Sequence, residues 1–140
     1  MGQQQLLLII LGVIIVGIAV AVGITMFQDN AVDQNRNMVI ADLQNLAAKA
    51  QQYFAKPTTL GGGGNDFSGL TANAAGLAIL AGTAFTDNAN GTYSIKTAGT
   101  AGLAGVVVLK GIGKTAQSDG TFPTYELTVS STATVLAKTN

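Results

Sequence analysis

Residues 6–27 read LLLIILGVIIVGIAVAVGITMF, a run of 22 residues with no charged side chain, no Asn, no Gln and no Pro. A helix rises about 1.5 Å per residue, so the run spans roughly 33 Å, enough to cross a hydrocarbon core of about 30 Å. The residues before it carry no Lys or Arg, and no clean A-x-A site directly follows it. A secretory signal peptide has a charged start, a shorter apolar part and such a site. We therefore expect residues 1–27 to be retained as an apolar N-terminal helix.

The small residues of this apolar helix lie on two opposed faces. At about 100° per residue, Gly12, Ala19 and Gly23 point within roughly 20° of one direction. Gly17 and Ala21 form a small-xxx-small pair on nearly the opposite side. A simple helix dimer needs one such face, so two faces favour packing by several neighbours, although Gly and Ala are common in membrane helices in any case. Because glycine lowers helix propensity, the stretch from Gly17 to Gly23 is where we expect a bend.

Residues 28–56 keep the helical period but acquire charges. Apolar residues recur at spacings of three, four and seven, which is typical of an amphipathic helix: Phe27, Ala31, Val32, Val39, Leu43, Leu46, Ala47, Ala50, Tyr53 and Phe54. No Pro or Gly interrupts the segment, and Pro57 ends it. The pattern predicts one helix from about Gln3 to Phe54, about 78 Å long. Its apolar stripe needs a surface to cover, and six positions are predicted to pack on the domain that follows: Val39, Leu43, Leu46, Ala50, Tyr53 and Phe54.

Residues 57–140 form a Gly-rich loop and a globular β domain. The loop covers residues 58–68, and residues 70–85 are ambiguous, Ala-rich enough for a short helix yet interrupted by two glycines. Alternating or β-branched segments then predict strands at 92–97, 103–110, 124–130 and 132–138. We predict an α+β fold in which the long helix packs on a small antiparallel sheet of three to four strands.

The composition gives little support to catalysis or to nucleic-acid binding. The net charge is zero, only 10% of residues are charged, and the chain has no His and no Cys. No basic patch is available for phosphates, so we predict no nucleic-acid partner. The seven acidic side chains show no paired or ligand-like spacing, so we predict a non-enzymatic protein without metal or cofactor. We expect these carboxylates to be solvated; Asp29 and Asp33 could instead contact Arg36 or a neighbouring subunit. Asn90-Gly-Thr matches a glycosylation sequon.

The layout resembles that of type IV pilins. An uncharged N-terminal helix continues into an amphipathic half near residue 54, followed by a Gly-rich loop and a small antiparallel sheet. The resemblance covers the whole layout, and it is carried mainly by the first 55 or so residues. It implies a subunit that waits in the inner membrane and is then assembled, by dedicated machinery, into an extracellular pilus whose core is a bundle of N-terminal helices.

The resemblance also assigns roles to particular residues. Residues 6–27 correspond to the bundle segment, whose core-packing positions would be Leu6, Leu7, Ile10, Gly12, Ile14, Ile15, Gly17, Ala19, Ala21 and Gly23. Met1 and Gln5 correspond to the positions that register neighbouring subunits. The family usually has Glu where this chain has Gln5, a Pro near residue 22 where it has Val22, and a Cys pair that it lacks. An amide brings no charge to an amine partner, so registration through Gln5 would be weaker.

Three functional hypotheses follow. The chain is a structural subunit of a type IV pilus-like filament, or a single-span minor pilin or pseudopilin, or an exported domain that keeps a signal anchor. Hydropathy alone does not separate them. A single uncharged helix has two suitable surroundings, lipid and copies of itself, because burial of each Leu, Ile or Val contributes about 1.5–3 kcal/mol. Contacts repeated by one rotation and rise generate a helical filament, which favours the first hypothesis.

Overall fold

The computed structural model describes residues 2–139, apart from the side chain of Ala84. Helix α1 spans Gln3–Ala55 and helix α2 spans Ala74–Ala81, with single 3-10 turns at Thr58–Leu60 and Thr83–Phe85. Four strands follow: β1 (Gly91–Thr97), β2 (Val106–Gly113), β3 (Thr124–Ser130) and β4 (Thr134–Lys138). They form one antiparallel sheet in the order β1-β2-β3-β4. The predicted α+β fold, a long helix on a small antiparallel sheet, is confirmed.

Helix α1 is continuous across both the apolar and the amphipathic segments. Its 53 residues span about 80 Å. Every residue from Gly17 to Gly23 is helical, so the helix does not unwind there, and the expected bend stays a prediction. The helix ends one residue later than predicted, where the Lys56 N–H donates to the Gln52 carbonyl (3.0 Å) before Pro57.

The C-terminal half of α1 lies across the sheet and forms the core with it. The predicted helix-on-sheet positions Val39, Leu43 and Ala50 are 0% exposed, and Leu46 and Phe54 are also buried. They meet inward side chains of β2 and β3, among them Leu109 and Val129. Tyr53 is only partly buried and packs at the margin of this cluster. The stripe therefore covers the sheet as predicted from residue 39 onwards.

Close approach of α1 explains the glycines of β2. A Cβ on Gly111 would lie 3.0 Å from Val39 Cγ1 and 3.2 Å from Leu43 Cδ1, and one on Gly113 would lie 2.2 Å from Asn35 Oδ1. These glycines belong to β2, which begins at Val106 and not at the predicted residue 103, and which extends to Gly113. The predicted boundaries, 103–110, were wrong: residues 103–105 lie outside the strand, and close packing under α1 keeps Gly111 and Gly113 within it.

Helix α2 and strand β4 complete the domain at opposite sides. The ambiguous segment 70–85 contains α2, whose Asn73 cap accepts a hydrogen bond from the Gly76 N–H (2.9 Å). Strand β4 pairs with β3 through five residue pairs, and its five residues are all exposed. Because α1 crosses chiefly β2 and β3, β4 extends beyond the cover of the helix.

Candidate assembly surface

Most of the exposed large apolar side chains among residues 2–139 lie on the N-terminal part of α1, which we call the apolar rod (residues 6–27). Its Leu, Ile and Val side chains are between 48% and 67% exposed. In a helix, neighbours along the same helix cover the remainder, so these side chains make no packing contact with the domain. Among the described residues 2–139, one helix is long and apolar enough to cross a membrane, and that helix is α1. None of its most apolar 18-residue window is buried.

The predicted filament-core residues all lie on this rod. Leu6, Leu7, Ile10, Ile14 and Ile15 are exposed between 53% and 67%. A Cβ added at Gly12, Gly17 or Gly23 would meet nothing within 4 Å. The structure therefore places these residues on one helix that is open on both small-residue faces, and no contact among the described residues explains the glycines.

Along residues 27–36, α1 changes from the exposed rod to the part that packs on the domain. Phe27, which the sequence pattern placed in the amphipathic stripe, is 78% exposed, and Ala31 is exposed as well. That part of the stripe was wrong, because the first buried residue of α1 is Val32 (6% exposed). Arg36 donates from Nη1 to Asp33 Oδ1 (2.9 Å) and from Nη2 to Gln117, so it joins α1 to the loop between β2 and β3.

Asn35 and Asp42 fasten α1 to the turn before β1. Asn35, 8% exposed, donates from Nδ2 to the Asn90 carbonyl (2.7 Å). Asp42 Oδ2 accepts three hydrogen bonds, from Asn88 Nδ2 (3.0 Å), Asn90 Nδ2 (3.0 Å) and the Tyr93 hydroxyl (2.7 Å). The expectation that every carboxylate is solvated was wrong for Asp42, because three donors distant in sequence converge on it. These contacts hold the rod's helix rigidly on the domain.

The Asp42 cluster shifts the pKa of two groups in opposite directions. Burial raises the pKa of Asp42, but the hydrogen bonds from Asn90, Tyr93 and Asn88 outweigh it, and the net pKa is below the ordinary value. Burial, followed by the hydrogen bond to Asp42 and its negative charge, raises the pKa of the Tyr93 hydroxyl well above its ordinary value. At neutral pH the pair is therefore a carboxylate accepting from a neutral phenol, which is a structural arrangement and not a poised acid or base.

The remaining predicted positions have separate surroundings. Gln5 is exposed near the start of the rod, and Met1 lies outside the described residues. Asn90 is half-buried, and its amide nitrogen donates to Asp42, so a glycan on that nitrogen would leave one hydrogen for this contact. Glycosylation of Asn90 stays a prediction.

Sequence patterns could have revealed only some of the residues that position the rod. Val32 and Ala47 belong to the helical apolar period. Asn35 lies on the same buried face, and a polar residue at such a position indicates a buried hydrogen bond. Nothing local to Asp42 points to its partners, which are 46 to 51 residues away.

Comparisons with protein-family models, with characterised proteins and with solved structures find no match to this chain. Any functional assignment therefore depends on the geometry and chemistry of the chain itself.

Proposed function

We propose that this chain is the structural subunit of an extracellular, type IV pilus-like helical filament, in which the apolar rods of many copies bundle to form the core. The observation that carries the proposal is the apolar rod itself, exposed along its length on a helix whose other half is built into a folded domain. The role is structural and not enzymatic.

The free energy cost of exposing the rod to water supports a state in which the rod is buried. Residues 6–27 contain 14 Leu, Ile and Val side chains. Burial of each contributes about 1.5–3 kcal/mol, so covering them all is worth roughly 20–40 kcal/mol, more than the stability of a typical domain. Soluble proteins rarely expose such a patch unless it is an interaction site. Lipid and other copies of the same rod can both supply the cover.

Two features favour a bundle as the final state. The glycines at 12, 17 and 23 leave both faces of the rod open for close approach by neighbouring helices. The rod is also continuous with the buried half of α1, so each rod in a bundle carries its domain in a fixed position. A simple anchor needs neither feature. We propose that the rod lies in the inner membrane before assembly and that pilus assembly machinery transfers the subunit into the filament.

Electron microscopy of material sheared from expressing cells tests the proposal. We expect thin filaments composed of this chain. Ile15→Asp or Gly12→Arg should abolish them, because a charge in the bundle would have no partner. Recovery of the wild-type chain only with membranes would overturn the filament and support the alternative, a single-span minor pilin or pseudopilin.

A second variant separates bundling from membrane insertion. Gly12→Leu leaves the rod fully apolar and meets nothing within its own chain, so membrane recovery and domain stability should match wild type. It fills one small-residue face, so filament yield should fall at least about tenfold. Ser94→Asp, on the exposed outer face of β1, is the matched charge control and should leave filaments intact. Normal filaments from both Gly12→Leu and Ile15→Asp would contradict the bundle.

A further inference from the structure

Strand β4 is an edge strand that is exposed on both of its faces. Its inward and outward side chains lie outside the cover of α1, with Val135 at 63% and Leu136 at 40% exposure. None of the five β4 residues belongs to the buried core, yet the strand pairs regularly with β3. A second strand could approach its free edge without displacing any element.

The direction of the backbone groups along β4 defines what this edge can bind. The Ser130 N–H donates to the Ala133 carbonyl (2.8 Å), and the Thr139 N–H donates to the Thr124 carbonyl (2.9 Å). Residues 133 and 139 therefore face β3, and because antiparallel pairing alternates, the backbone groups of Thr134, Leu136 and Lys138 point away from the sheet. The free edge offers three donors and three acceptors in the pattern of an extended strand.

The opposite edge of the sheet is partly covered. The Tyr93 N–H on β1 donates to the Thr86 carbonyl (2.8 Å), and the Gly91 carbonyl accepts from the Asn88 N–H (3.0 Å). Proteins commonly block edges in this manner, or with Pro, bulges or charges. Between Thr134 and Lys138, β4 has no Pro and no irregular pairing, and Lys138 at its end is its one charge.

We propose that β4 pairs in antiparallel fashion with β4 of a second copy of this chain, about a two-fold axis at Leu136. The sequence of the strand is self-complementary in that register. Leu136 lies opposite Leu136, Thr134 lies opposite Lys138, and Val135 lies opposite Ala137. The two Lys138 side chains are at opposite ends, so like charges do not face each other. The product is one continuous eight-stranded sheet across two copies.

The contact is weak for a single pair of chains. An edge of five residues buries far less than the roughly 1,000 Å² expected of a stable interface. Its effect grows when many copies are linked, because each further contact becomes intramolecular. An isologous contact cannot repeat along one polar filament, so if the chain forms filaments, β4 pairs would join neighbouring filaments side by side. The pairing itself does not depend on filament formation.

Disulfide trapping of the full-length chain in detergent micelles tests the contact. The chain has no Cys, so each variant introduces one thiol. Leu136→Cys places two thiols opposite each other at a Cα separation of about 5.5 Å, within disulfide range. In the same register, Val135→Cys places its thiols diagonally, at about 7–8 Å. We expect Leu136→Cys to form the disulfide dimer at least tenfold faster than Val135→Cys and faster than Ser94→Cys, an exposed outer-face control on β1.

A mixture of two variants checks the antiparallel register independently. Thr134→Cys and Lys138→Cys should each remain monomeric alone, because their own copies are far apart in this pairing. Mixed together, they should form the heterodimer. All four substituted β4 positions are exposed, so the substitutions leave the core intact. Equal rates for Leu136→Cys and Ser94→Cys, or homodimers of Thr134→Cys without heterodimers in the mixture, would overturn the proposal.

Discussion

Replacement of Asp42 by Ala should loosen α1 from the turn before β1. The change removes the acceptor of the hydrogen bonds from Asn88, Asn90 and Tyr93, at 3.0, 3.0 and 2.7 Å. The two amides are half-buried and can turn to water, whereas the Tyr93 ring is 2% exposed and its hydroxyl loses its partner. Hydrogen bonds to a charged group contribute about 1.5–3 kcal/mol, and a stranded donor costs about 1–3 kcal/mol. We expect a loss of about 3 kcal/mol, or a Tm lower by about 10 °C.

The assay is thermal unfolding followed by circular dichroism, with the apolar rod kept in detergent. Asp33→Ala removes an exposed carboxylate paired with Arg36 and should cost about 0.5 kcal/mol, so it serves as the control. Tyr93→Phe should cost less in the Asp42→Ala background than in wild type, because the two groups share one hydrogen bond.

The difference in stability between wild type and Asp42→Ala depends on pH in a direction that follows from the pKa of Asp42. The pKa of Asp42 is lower in the folded state, so its stabilisation is present above the ordinary carboxyl pKa and is lost as the pH falls through the folded value. The gap in Tm between wild type and Asp42→Ala should therefore narrow as the pH falls below about 4. A gap equivalent to under about 1 kcal/mol at pH 7, or one that does not change with acid, would refute this account of the cluster.

Four further substitutions test the packing of α1 and the surface charges by denaturant unfolding. Leu43→Ala, at a fully buried position, should cost about 3–4 kcal/mol, whereas Met38→Ala, at 48% exposure, should cost under about 1 kcal/mol; similar losses would contradict the placement of the stripe. Gly111→Val should destabilise by more than about 2 kcal/mol, because a Cβ there would already lie 3.0 Å from Val39 Cγ1; wild-type stability would mean that α1 does not cross β2 at this point. Lys96→Ala removes an exposed pair with Glu126 (2.6 Å) and should cost under about 1 kcal/mol, an effect that 1 M salt abolishes.

Prediction from sequence succeeded where the signal is local. The apolar rod follows from composition, and the buried face of α1 follows from a 3.6-residue period that involves residues within one or two turns. The limits of β3 were predicted as they are observed, because its apolar and polar residues alternate without a break. For the same reason Val39, Leu43 and Leu46 could be assigned to the core before any sheet was known.

Prediction failed where a tight turn or a distant segment sets the requirement. Residues 103–105 were assigned to β2, yet Gly102 has a φ of 87° and the Gly105 N–H donates to the Gly102 carbonyl (2.9 Å), which makes this stretch a turn. Gly111 was left out of the predicted strand, although the close approach of Val39 and Leu43 favours a glycine there. The cluster at Asp42 was not predicted, because its hydrogen-bond donors lie in a turn dozens of residues later and the sequence around Asp42 does not indicate them.

The sequence by itself determined that this protein has an apolar helix, an amphipathic continuation of it and a β domain, because hydrophobic period and turn chemistry act over a few residues. Only the tertiary structure decided how far the sheet covers that helix. The C-terminal half of α1 packs chiefly on β2 and β3, Val32 is the first buried residue of the helix, and the apolar rod stays exposed. The same geometry leaves β4 exposed on both faces. Both candidate surfaces for further copies of the chain therefore result from where one helix lies on one sheet.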